Sequence, residues 1–393
     1  MTLLLIMIIY LAFISLGLPD SLLGTAWPIM QLELGLPMET AGILSMTISS
    51  GTIISSLASG RLLKRFGTGK VTVVSVLMTA CALLGFYFAP SIVWLILCAI
   101  PLGLGAGAVD TGLNDYVAVN YKAHHMSWLH SFWGVGASLG PIIMSQFILQ
   151  DNAWRGGYLT ISLLQFLLVI ILFVSLPLWG RASNKDASLL NEAIEAEATS
   201  PKTDTKPLQI KGVKFALITF LFYCGIEAGV GLWGSSFLVN MKNFDPAIAA
   251  RWVSFYYAGI TIGRFVTGFV TFKMSNKTLI RTGQLTALIG TIMLFLPLPS
   301  GFLMTSFIII GLGLAPIFPC MIHETPVHFG KQHSQILVGY QMAAAYTGTT
   351  LIPPLIGLIA SRVSIGIFPF IAILLAIGML ISSERLNKII TLK

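Results

Sequence analysis

Two carboxylates and an amide stand close together in the stretch 103–117, GLGAGAVDTGLNDYV: Asp110, Asn114 and Asp115. The stretch is otherwise apolar and rich in glycine, which lets a neighbouring helix approach closely. An ionisable side chain at membrane depth is costly unless it faces a cavity or a partner, so its default reading is functional. Asp110 and Asn114 are four residues apart and share a helix face, whereas Asp115 points elsewhere. One face therefore offers a proton-exchanging acid beside a hydrogen-bonding amide, and proton or substrate coupling is the chemistry expected of Asp110.

Two further stretches carry the same ingredients. In SLGLPDSLLGTAWP, Asp20, Gly24 and Trp27 fall at i, i+4 and i+7, just after Pro19 interrupts the helical ladder. An acid, a gap and an aromatic plate suit a ligand with hydroxyls and a flat apolar face. The alternative is that Asp20 caps the helix restarting after Pro19. In FYCGIEAGVGLWGSSF, Tyr223, Glu227 and Gly231 share a face with Trp233 close by. Glu227 is expected to accept hydroxyls or a proton, or else to pair with an intramembrane base such as Arg264.

SWLHSFWGVGASLGP places His130 and Trp133 three apart, facing a cavity together or serving as a hydrogen-bonded histidine and a packed indole. Among the glutamines within spans, Gln165, Gln284 and Gln341, the last is the best candidate amide because small residues surround it in GYQMAAAYTG. Arg264, in AGITIGRFVTG, is expected to lock helices together. Asp115, nearer the cytoplasmic end, is expected to form a gate salt bridge with Arg61 or Arg65. Pro316 and Pro319, with His323 and Glu324, mark a bent helix with a polar end.

The elements that position these residues follow from composition. A chain of 393 residues that is 55% hydrophobic and 10% charged, with mean hydropathy +0.86, is a polytopic membrane protein. Apolar runs of roughly 20 residues, long enough to span a bilayer as helix, recur about twelve times. They lack the alternation of barrel strands. The fold class is all-α. The polar segment 181–211 divides the chain into an N-terminal six-helix bundle, 1–180, and a C-terminal one, 212–393. Its centre, SLLNEAIEAEA, has the makings of a short surface helix.

The halves resemble each other. Gly51, Gly60 and Gly103 stand at one constant offset from Gly259, Gly268 and Gly311, while Gly136 and Pro141 match Gly348 and Pro353. Such duplication is expected of a secondary transporter with its site between the halves. Of the 23 Lys and Arg residues, 18 fall in the even-numbered loops and the C-terminus if the first helix runs outward. Both termini are then cytoplasmic. The net charge of +8 reflects this asymmetry and not nucleic acid binding.

No Walker or HExxH pattern occurs, nor a recognisable nucleophile elbow, which argues against an enzyme and for a gradient as energy source. Cys81, Cys98, Cys224 and Cys320 lie within spans and read as small core residues, with no metal cage and no cofactor expected. MTLLLIMIIYLAF lacks a basic leader and runs into a full span, so it reads as the first helix.

These features resemble the major facilitator superfamily across the whole chain. The loop GRLLKRFGTGK is similar to the G-x-x-x-D-R-x-G-x-x-[KR] signature: Gly60, Arg65, Gly67 and Lys70 stand in place, with Lys64 at the usual Asp position. GAVDTGLNDYV, LHSFWGVGASLGP, FYCGIEAGVGLW, GITIGRFVTG and GLGLAPIFP together resemble the fucose, galactose and glucose proton symporter branch. The resemblance implies that Asp110 matches a helix-four carboxylate, Asn114 the amide after it, Asp20 a helix-one acid and Glu227 a helix-seven acid.

The expectation is a monomeric plasma-membrane (cell inner membrane) symporter that moves a sugar-like small molecule with protons. Asp20 and Asp110 would handle protons. Trp27, Trp133 and Trp233 would stack on the sugar, with Asn114, Glu227, Gln341 and His130 around it. A drug or metabolite exporter of the same fold is the alternative; a receptor or scaffold is disfavoured for want of a soluble partner domain.

Overall fold

The computed structural model describes residues 2–121, 123–150, 153–198, 207–271 and 273–391. Apart from two single-turn 3₁₀ pieces, its regular structure is α-helix, with no strand among the described residues. In the first half the helices are α1 (Thr2–Asp20), α2 (Leu22–Glu33), α3 (Thr40–Phe66), α4 (Thr68–Tyr87), α5 (Ile92–Asn120), α6 (Ala123–Leu149) and α7 (Trp154–Ala198). In the second they are α8 (Val213–Lys242), α9 (Pro246–Val270), α10 (Asn276–Phe295), α11 (Ser300–Leu314), α12 (Ile317–Phe329), α13 (Lys331–Arg362) and α14 (Phe368–Thr391).

Two predicted breaks appear where proline removes a backbone donor. The first span divides at Ser21 into α1 and α2, and the tenth divides before Ile317 into α11 and α12. Counting each pair once, 11 stretches are long and apolar enough to cross a membrane among the described residues. The remaining span is α9, 25 residues long, whose Arg251 and Arg264 lower its hydropathy. The backbone of α7 continues as helix to Ala198, well into the expected linker; residues 199–206 of that linker lie outside the described residues.

Glycine registers set the crossings. A Cβ on Gly51 would stand 3.2 Å from Gly103 Cα, where α3 crosses α5, and one on Gly259 would stand 3.3 Å from Gly311 Cα, where α9 crosses α11. The constant offset read in the sequence is thus one helix crossing built twice. At the first crossing Thr52 and Ser56 donate across the gap to the carbonyls of Gly103 and Gly107, each at 3.3 Å, bonds that only a close backbone approach permits.

The halves meet at the end of the bundle opposite the linker. There α2 packs on α8, α3 on α13 and α6 on α9, while α1, the linker-end part of the first span, packs on α5, α6 and α7 of its own half. Ser254 donates to the Ser138 carbonyl at 2.8 Å and Arg251 to the Ser145 hydroxyl at 3.0 Å. Nearer the linker the same helices part: a Cβ on Gly60, Gly268 or Gly339 would meet nothing within 4 Å. The gap between the halves opens toward the linker end.

The closed end is braced within the first half by Glu33, which accepts from the Trp154 indole and the Arg155 guanidinium. Arg155 also donates to the Ala89 carbonyl at 2.8 Å. Closure itself depends on Gly24, because a Cβ there would lie 2.7 Å from Leu232 Cα, inside the backbone of α8. Gly24→Val is therefore expected to hold this end apart. In a background without the native cysteines, Ser138→Cys should react several-fold faster with a membrane-impermeant thiol reagent when Gly24 is Val. An unchanged rate would show that the crossing tolerates the side chain.

Candidate functional site

At the point where the gap narrows, Trp133 of α6 joins the two halves. Its indole N–H donates to Asp20 Oδ2 at 2.7 Å, and its ring stands under the Arg264 guanidinium, 5.4 Å from centroid to Cζ. Tyr257 of α9 meets the same ring edge-on, with centroids 6.4 Å apart. Arg264 also donates to Glu227 Oε1 of α8 at 3.1 Å and to the Tyr223 hydroxyl at 3.4 Å. A continuous polar path therefore runs from Asp20 in the first half through Trp133 and Arg264 to Glu227 in the second.

Asp110 lies in the same electrostatic neighbourhood. Asp20 feels the charges of both Asp110 and Glu227, so Asp20 lies within electrostatic reach of the other two carboxylates, and Arg264 pairs with Glu227. Asn114 donates from Nδ2 to Asp110 Oδ1 and to the Asp110 carbonyl, both at 2.9 Å, which fixes the carboxylate on its helix face and leaves the amide oxygen available. Tyr346 of α13 approaches from the other half, interacting with Ser56 and with the charge of Asp110.

The remaining candidates sort by burial. His130 is exposed, edge-on to Phe13 at 5.9 Å, and feels the charge of Arg264. Trp27 and Trp233 are both fully buried, each 0% exposed, so neither presents a face to a ligand. Trp233 donates to the Pro353 carbonyl at 2.8 Å. Gly24, read as a gap beside an aromatic plate, is the crossing point of α2 and α8. Gln341 is 2% exposed, and its Oε1 accepts from Thr325 at 2.9 Å. It ties α12 to α13 and offers nothing to the gap.

The expected gate salt bridge is not formed. Asp115, Arg61 and Arg65 are all exposed, and Asp115 forms no ion pair with either arginine. Arg65 lies instead over the ring of Phe66, at 5.3 Å. Exposed charges in water gain little by pairing. Asp20 does not cap α2 either: the N-cap is Ser21, without a side-chain bond.

Tyr257 and Tyr346 are site residues that the sequence reading passed over. Tyr257 was within reach, since it stands seven residues before Arg264 and so shares its helix face.

These contacts separate an indole that lines the gap, Trp133, from one that is packed, Trp27. Trp133→Phe removes the donor to Asp20 and the larger π face under Arg264, and substrate affinity is expected to fall about tenfold. Trp27→Phe should leave affinity unchanged and lower thermal stability by about 1–3 kcal/mol through the void it leaves. Binding titrations and thermal unfolding of both variants distinguish the two roles.

The chain shares its architecture with known transporters. It is 24% identical over 387 residues to the Glucose/mannose transporter GlcP of Bacillus subtilis (strain 168), covering 96% of this chain and 94% of that one. Over 369 residues it is 21% identical to the Cis,cis-muconate transport protein of Acinetobacter baylyi (strain ATCC 33305 / BD413 / ADP1), covering 91% and 87%. The solved inward open conformation of the xylose transporter XylE from E. coli has the same fold, with a TM-score of 0.76 at 12% identity, covering 99% and 96%. The family model of the Major Facilitator Superfamily matches residues 9–335. With its twelve spans and a charged gap between two helix bundles, the chain belongs to the Major Facilitator Superfamily and is a multi-pass membrane transporter, not an enzyme.

Proposed function

We propose that this transporter is a proton-coupled symporter of a monosaccharide or related small polyol, in which two bundles, 1–180 and 212–393, rock about a central site. The observation that carries the reading is the shared indole: Trp133 holds Asp20 of one half and underlies Arg264 of the other. An aromatic face ringed by carboxylates, an amide and tyrosines matches a sugar, which has an apolar ring face and a rim of hydroxyls. The relatives support the substrate class, for they include the glucose/mannose transporter and a Putative glucose/galactose transporter from Helicobacter pylori.

Asp20 and Asp110 handle protons, Trp133 stacks on the ring, and Asn114 and Glu227 bind hydroxyls, with His130 at the margin. The Lys and Arg distribution supports a plasma-membrane orientation with both termini in the cytoplasm, and the transport unit is a monomer. The gap then opens to the cytoplasm.

Uptake of labelled hexoses and deoxyhexoses into proteoliposomes, with and without an inward proton gradient, tests this reading. Accumulation that requires the gradient supports symport. If no sugar moves in either direction, the substrate class fails, and amphiphiles moved outward become the compounds to screen.

A further inference from the structure

A second cavity lies at the closed end, away from the central gap. It has a volume of about 670 Å³ and is lined from both halves: Glu39 precedes α3, Asn240 lies in the last turn of α8, Leu358, Ser361 and Arg362 lie near the end of α13, and Val363 follows it. Two of its charges have opposite sign. Glu39 Oε2 is buried without a hydrogen-bond partner, and its carboxylate does not cap α3. Arg362 pairs neither with Glu39 nor with any other acid among the described residues. A carboxylate oxygen removed from water with no partner is costly. A bound cation would relieve that cost.

We propose that this cavity binds the zwitterionic headgroup of an ethanolamine phospholipid, with the ammonium on Glu39 and the phosphate on Arg362. The depth is right: Arg362 is the last residue of the span Ile336–Arg362 and Thr40 the first of the span Thr40–Phe66, so the cavity sits at the headgroup level of the bilayer. The chemistry is right as well. An ethanolamine ammonium has three N–H donors for a carboxylate, which a choline headgroup lacks, and a guanidinium matches phosphate with a planar fork of donors. Leu358 and Val363, 44% and 71% exposed, continue the cavity as an apolar surface along which acyl chains lie.

Glu39 and Arg362 belong to opposite halves. A headgroup held between them favours the closed state of this end, and it leaves when the halves part.

The test uses the full-length protein in bilayers that contain phosphatidylethanolamine, or phosphatidylcholine in its place, with the same minority of phosphatidylglycerol. Native mass spectrometry reads the lipid retained, so the outcome does not depend on sugar transport. The wild type should retain the ethanolamine lipid about tenfold over the choline lipid. Glu39→Gln should bring the ratio near parity, whereas Arg362→Gln should lower the retention of both lipids about tenfold and Arg362→Lys should preserve most of it. Parity in the wild type, a preference that survives Glu39→Gln, or retention unchanged in Arg362→Gln overturns the proposal. If soluble phosphoethanolamine displaces the retained lipid at comparable concentration, a soluble zwitterion occupies the site, and the assignment to a lipid is overturned.

Discussion

Asp110→Asn is expected to abolish gradient-driven accumulation of substrate while leaving exchange intact. A difference of two pH units across a proteoliposome supplies about 2.8 kcal/mol per proton, so symport of one proton per sugar sustains a roughly hundredfold gradient. The asparagine keeps an oxygen where Oδ1 accepts from Asn114 at 2.9 Å, so the helix face is preserved and only the exchangeable proton is lost. Accumulation should then fall to the equilibrium level. Counterflow of labelled against unlabelled sugar, which needs binding and rocking but no net proton movement, should persist. Loss of counterflow as well would make Asp110 a binding residue. Full accumulation would leave Asp20 as the coupling acid, and Asp20→Asn in the same assay decides that case.

Much of this architecture was legible because membrane helices announce themselves by apolar length, and their crossings by small residues. The matched pairs Gly51 and Gly103, Gly259 and Gly311 could be read as a duplication, and they are contacts in the structure. Pro19 and Pro316 marked helix breaks because a missing donor acts locally. The tryptophans were harder. Trp27, Trp133 and Trp233 occur in similar polar–aromatic patterns, yet Trp27 and Trp233 are fully buried while Trp133 faces the gap.

Helical spacing says which residues share a face; it does not say what covers that face. Trp27 shows this: seven residues after Asp20, it is fully buried, whereas Asp20 is exposed. Asp115 illustrates a second limit: an ion pair at the wet end of a bundle gains little in water, so nearby opposite charges do not foretell a bond. Tyr346 needed the approach of two halves, which no single-helix pattern contains.

The Glu227–Arg264 pair sets the second large expectation. Side-chain exposures of 17% for Arg264 and 20% for Glu227 place the pair well below the surface, and two further carboxylates lie nearby. Arg264→Gln leaves Glu227 without its countercharge and strips the site of its cation. Breaking a fully buried pair costs about 3–5 kcal/mol; with this partial exposure, a loss of about 2–3 kcal/mol is expected in thermal unfolding of the purified protein.

The double variant Glu227→Gln/Arg264→Gln should recover most of that loss, because two amides can hydrogen-bond with no charge left buried. Arg264→Lys should fall between, since an ammonium keeps the charge but loses the planar stack over Trp133. Sugar binding should remain impaired in all three, for each alters the ring of groups around the indole. If Arg264→Gln is as stable as the wild type, the carboxylate is neutral without its partner, and Glu227 joins Asp20 and Asp110 as a proton carrier.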